Sequence, residues 1–153
     1  MFELAKTLHI LSSTVLFGTG LGTAWYMWRA DRSGDVTVIF VTARHVVWAD
    51  YLFTLPAVVV QPFSGLWLAE LVGYRLDEPW LLASYVLYAI TAACWIPVVW
   101  LQTRMRDLAG IAVLESAPLP GLYHRYMRIW FILGWPAFLS VIAIFYLMVA
   151  RPV

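Results

Sequence analysis

The chain has 153 residues, of which 63% are hydrophobic and 12% charged, and its mean hydropathy is +0.79. A soluble domain runs nearer half apolar and a quarter charged, so this chain has too little polar surface to cover itself in water. Ten basic against nine acidic residues exclude a basic nucleic-acid-binding surface, and the single Cys94 excludes an intrachain disulfide or a cysteine-based zinc or iron–sulfur site.

The first uncharged stretch, Leu8–Trp28, follows one lysine, Lys6, and has no small-residue cleavage pattern. It is expected to be retained as a membrane helix rather than removed as a signal peptide. Residues 35–47 are expected to form a helical lead-in to the second uncharged stretch, Tyr51–Ala69. A short loop with Asp77 and Glu78 leads to the third, Trp80–Thr103. Residues 105–115 continue that helix until the Pro118-Leu119-Pro120-Gly121 turn, and the fourth stretch is Ile129–Ala150. Each stretch has roughly the 20 residues that a helix needs to cross about 30 Å of hydrocarbon. Lipid offers backbone groups no partner, so the crossing segments must be helical. The expected fold is an all-α integral membrane protein with a single four-helix transmembrane domain. Its spans lie near 7–29, 48–72, 80–104 and 128–150, and short amphipathic helical extensions lie on the cytoplasmic side.

Trp25, Trp28, Trp48, Trp80, Trp100 and Trp130 fall near span ends, where an amphipathic ring suits the headgroup region. Pro56, Pro97 and Pro136 are expected inside helices two, three and four, as kinks. Arg29, Arg32, Arg44, Arg104, Arg106, Arg125 and Arg128 collect on one side, against Lys6, Arg75 and Arg151 on the other. Basic residues favour the cytoplasm, so both termini are expected on the periplasmic side of a bacterial inner membrane.

Polar residues within the spans are few enough to weigh singly. His9 needs a hydrogen-bond partner or a metal. Ser13 and Gly20 share its helical face, leaving room for a flat macrocycle, so His9 is a candidate ligand to haem iron. Met148, at matching depth, is the candidate sixth ligand. His45 and His124 belong to the other side and form a candidate second metal site. Asp50 stands where the second span begins, and a structural ion pair with Arg104, Arg106 or Arg128 is expected there. Glu70 is expected to snorkel or to pair with Arg75. Gly18, Gly20 and Gly22 offer a close-packing surface for a second copy of the chain.

Several segments together resemble a bacterial family of predicted integral membrane proteins whose activity is unassigned. They are Lys6-Thr-Leu-His9-Ile, Ala49-Asp50-Tyr-Leu-Phe-Thr-Leu-Pro56-Ala, Gln61-Pro-Phe-Ser-Gly65, the run from Trp95 to Leu108, Leu133-Gly-Trp-Pro136-Ala-Phe and Leu147-Met148. More distantly, Lys6-x-x-His9, Gly65-Leu-x-Leu68 and Trp80-Leu81 are similar to motifs of the HemJ-type protoporphyrinogen oxidases. That likeness implies haem b held by His9. Where those enzymes have a lysine after the Trp-Leu pair this chain reads Ser84-Tyr85, and their Arg-x-x-Asn-Glu signature becomes Arg128-Ile-Trp130-Phe131.

The expected function is that of a haem b-binding, cytochrome b-like membrane protein. Its role would be electron transfer or redox chemistry with a membrane-soluble partner such as a quinone, or with another redox protein. The alternatives are a HemJ-like porphyrinogen oxidase and a non-catalytic membrane subunit or small-solute carrier without a cofactor.

Overall fold

A computed structural model describes residues 1–151 of the chain. Four helices follow one another: α1, Phe2–Ser33; α2, Val36–Val72; α3, Pro79–Leu114; and α4, Gly121–Ala150. No strand occurs among the described residues. Three of the helices, α2, α3 and α4, are long and apolar enough to cross a membrane. The extensions expected at residues 35–47 and 105–115 are helical and continuous with α2 and α3, which gives each of these helices a length of about 55 Å.

Serine, threonine and glycine lower the mean apolarity of α1. Its hydroxyls, however, turn back on the helix. Ser13 donates to the Ile10 carbonyl at 2.8 Å, Thr14 to the same carbonyl at 2.9 Å, and Thr23 to the Thr19 carbonyl at 2.8 Å. Such bonds hide a polar group without a partner from another helix.

The turns follow from a few residues. Gly34 closes α1 with φ at 70°, and the Asp35 side chain caps α2 by accepting from Thr37 N at 2.8 Å and Val38 N at 3.1 Å. Gly73, with φ at 82°, ends α2, and Pro79 opens α3 where a missing N–H costs nothing. Between them Arg75 and Asp77 form an exposed ion pair at 2.6 Å, and the arginine holds this carboxyl below the usual carboxylate range.

The prolines act less uniformly than the sequence suggests. Pro62, Pro97 and Pro136 lie inside helical runs, whereas Pro56 follows a π-turn over Asp50–Thr54. There the Leu55 N–H reaches back five residues, to the Asp50 carbonyl. Proline cannot donate and its ring crowds the carbonyl four residues back, and one wider turn relieves both problems. That extra residue turns Asp50 and Thr54 inward; both are buried.

The helices pack as two antiparallel hairpins, α1 with α2 and α3 with α4. At the arginine-rich end the first half of α2 lies against α3, and side chains from all four helices fill a core there. Met27, Ile39, Met105 and Tyr123 are fully enclosed there among the alanines Ala30, Ala43 and Ala109. A smaller cluster of Ala69, Trp80 and Leu81, flanked by Tyr74, Leu147 and Met148, ties the other end. Between these clusters the hairpins stand apart, bridged by side chains. Phe17 of α1 stacks on Phe138 of α4 at 5.5 Å and meets Phe145 edge-on at 5.4 Å. The Tyr88 hydroxyl of α3 donates to the Val58 carbonyl of α2.

The outside of the bundle is apolar. Phe63, Ile96, Ile132, Leu139 and Tyr146 are more than half exposed, as a lipid-facing surface requires.

Candidate functional site

Two polar constellations lie within the apolar bundle. The first joins α1 to α2 around His9. Its Nδ1 stands 3.1 Å from Ser64 Oγ, and its Nε2 accepts from Gln61 Nε2 at 3.2 Å. Ser12 donates to Gln61 Oε1, and Ser64 Oγ donates to the Gln61 carbonyl at 3.1 Å. Donors and acceptors close if Nδ1 carries the ring proton, which assigns that tautomer. The ring fits only because α2 has no side chain opposite it. A Cβ at Gly65 would stand 3.0 Å from His9 Cε1.

Both His9 nitrogens meet side chains of α2, so an iron bound at Nε2 would take the place of the Gln61 contact and leave Nδ1–H donating to Ser64. Ser13 is turned onto its own helix, Gly20 lines a different space, and Met148 belongs to the cluster around Trp80. His45 and His124 are both exposed. Among the described residues no group of three or more His, Cys, Asp or Glu side chains is placed to hold a metal ion.

The second constellation is the gap between the hairpins, a cavity of about 300 Å³ walled by all four helices. Its lining is apolar and rich in rings, with Phe17, Tyr88, Trp95, Trp130, Trp135 and Phe138 among them. The Cβ positions of Gly20 and Gly134, both in this wall, meet nothing within 4 Å. Leu21, Phe131 and Trp135 line the cavity yet remain exposed, so it opens towards the lipid between α1 and α4.

At the end nearer the arginine-rich core stand Asp50, Thr54, Gln102 and Trp130. Asp50 is 3% exposed, and its Oδ1 accepts from Thr54 Oγ1 at 2.8 Å. The i to i+4 spacing of the two residues puts them on one helical face. Gln102, itself buried, approaches the same carboxyl group from α3. Three buried atoms here have no partner: Asp50 Oδ2, Gln102 Oε1 and Trp130 Nε1.

The arginines expected beside Asp50 are engaged elsewhere. Arg104 lies over the Trp100 ring at 5.5 Å, Arg106 pairs with Asp107 at 2.7 Å, and Arg128 is exposed. Their long side chains reach water and the interface, where a guanidinium keeps its hydration. Glu70 is likewise exposed, while Arg75 pairs with Asp77.

Gln61, Ser64, Thr54 and Gln102 are the site residues that sequence reasoning missed. A signal existed for two of them, since Gln61 stands four residues before Gly65 and Thr54 four residues after Asp50, whereas nothing along the chain pointed to Ser64 or Gln102.

The chain belongs to the family described as predicted integral membrane protein (DUF2269), whose model matches residues 3–152. No curated protein and no solved structure matches it. The likeness to HemJ-type oxidases therefore rests on the short motifs quoted above.

Proposed function

From membership of a family of integral membrane proteins, we propose that this chain binds a lipid-soluble, ring-bearing small molecule in the cavity between its two hairpins. The observation that carries the reading is the cavity itself. All four helices wall it, aromatic side chains dominate it, and a few polar groups stand together at one end. Ligand sites have this composition, and about 300 Å³ lies at the lower bound of their usual volume. Apolar walls provide affinity and the polar end fixes orientation.

In this reading α1 also crosses the membrane, since Leu8–Trp28 holds no charge and the Ser13, Thr14 and Thr23 hydroxyls are satisfied within the helix. The arginine-rich end faces the cytoplasm, which places the polar end of the cavity in the inner half of the bilayer. A quinone falls within the ligand class, with the Trp130 N–H and the Gln102 amide as donors to its carbonyls. The protein then acts as a binding or carrier component of the membrane.

The test uses protein in lipid nanodiscs and 9-anthracenemethanol, which accepts excitation from tryptophan. A saturable component of energy transfer is expected, and the double variant Gly20→Leu/Gly134→Leu, which fills the cavity, should abolish it. Energy transfer that rises linearly and is the same in both proteins would reflect probe dissolved in lipid and would refute the reading.

A further inference from the structure

The polar end of the cavity has a chemical sense that the apolar walls do not. Asp50 brings a carboxyl group into a wall where no lysine, arginine or histidine is present. Its Oδ1 is satisfied by Thr54, its Oδ2 is not, and the neighbouring Gln102 Oε1 is a second acceptor without a donor. A buried carboxylate without a counter-charge is costly, and a buried acceptor without a donor adds to that cost. Both are relieved by one group that is positively charged and carries more than one N–H.

The rings around this end point the same way. Trp95, which also lines a second cavity with Asp50, and Trp130 stand in the same wall, and the faces of such rings attract cations. That second, smaller cavity also reaches Asp50. It is lined by Tyr51, Leu55, Ile96 and Val99, and it shares Asp50 and Trp95 with the first. Tyr51, Leu55 and Ile96 are exposed on the lipid-facing surface, so this second cavity opens towards the membrane between α2 and α3.

We propose that the cavity takes a lipophilic ammonium ion, a primary or secondary amine on an aromatic or polycyclic body, with Asp50 as its counter-ion. Gln102 Oε1 accepts the second N–H, and the apolar body lies along Phe17, Trp135 and Phe138. Thr54 is a positioning residue, which holds Oδ1 and leaves Oδ2 for the ligand. This inference rests on the cavity reading above but is separable from it, because a neutral ligand would satisfy that reading and not this one.

The experiment compares 9-(aminomethyl)anthracene with 9-anthracenemethanol in the same nanodiscs at neutral pH, where the amine is protonated and the alcohol carries no charge. The two probes differ only in the polar head. A charge-assisted hydrogen bond predicts that the saturable site binds the amine about tenfold more tightly than the alcohol. Asp50→Asn should remove that preference, and Asp50→Glu should retain part of it. Equal affinity of the two probes for the wild-type protein, both blocked by Gly20→Leu/Gly134→Leu, would overturn the ammonium ion and leave the cavity reading standing. Absence of saturable binding by either probe would remove both. The comparison of two probes on one unaltered protein decides the matter even if an Asp50 variant does not fold.

Discussion

At the scale of single residues, His9 and Gly65 form a matched pair, and each explains the other. The imidazole stands against bare backbone, and a methyl group at position 65 would meet His9 Cε1 at 3.0 Å. Gly65→Ala must therefore displace the ring and strain its bonds to Ser64 and Gln61. Overpacking of this kind costs about 1–3 kcal/mol, which a lowered unfolding temperature in detergent would reveal. Interhelical hydrogen bonds in membranes average about 0.6 kcal/mol and reach about 1.7. A double-mutant cycle between His9→Ala and Gln61→Ala is expected to give a coupling within that range. A coupling indistinguishable from zero would mean that the network is not formed in the membrane.

The sequence singled out His9 correctly as a residue that needs a partner. It could not say which one, because Ser64 and Gln61 are 55 and 52 residues away along the chain. Asp50 was legible in the same way. A carboxyl group at the start of a span demands explanation, yet the arginines that looked suitable by depth are turned to Trp100, to Asp107 and to solvent.

At the scale of the helices, boundaries are set locally and can be tested locally. Gly34 and Asp35 make the α1–α2 turn, one by accepting a positive φ and the other by capping two backbone N–H groups. Asp35→Ala is expected to cost about 0.5–2 kcal/mol of stability, measurable by thermal unfolding, because the N–H groups of Thr37 and Val38 lose their acceptor. The Arg75–Asp77 pair offers a contrast. It is exposed, and the arginine lowers the carboxyl group's titration, so whatever it contributes is present from neutral pH down to the ordinary carboxylate range and is lost as pH falls below it. Asp77→Asn should leave the unfolding temperature unchanged within error between neutral and mildly acidic pH. A marked fall would give the turn a structural weight that its exposure denies it.

The π-turn before Pro56 is the element that sequence inspection renders least well. A proline in a helical pattern announces a disturbance, but whether the chain kinks or widens depends on what its neighbours can accept. Here the wider turn directs Asp50 and Thr54 into the bundle. Pro56→Ala removes its cause and is expected to weaken binding of the amine probe without loss of helix content by circular dichroism. Unchanged binding would separate the π-turn from the site.

At the scale of the whole molecule, the bundle is tied at both ends and hollow in the middle. Alanines at the arginine-rich end let the helices approach, whereas the middle is held open by Phe17, Tyr88 and Phe138, which touch across it rather than interlock. Filling such a space with apolar atoms replaces void by contact. Gly20→Leu/Gly134→Leu is therefore expected to leave the unfolding temperature unchanged or to raise it by a few degrees, which thermal unfolding would show. A sharp fall would mean that those helices already lie closer together in the membrane.

The sequence by itself determined that this is a membrane protein built of helices, and which few polar residues within them require an account. Those properties are local: hydrophobic run length, proline and glycine punctuation, and the cost of burying a polar group are all read from neighbours along the chain. Only the tertiary structure decided that His9 closes a network with α2, that Asp50 faces a cavity rather than an arginine, and that the middle of the bundle is open. These depend on which faces of separate helices meet and on how completely their side chains fill the space between them. That is a matter of volume and direction across the bundle, which no single segment encodes.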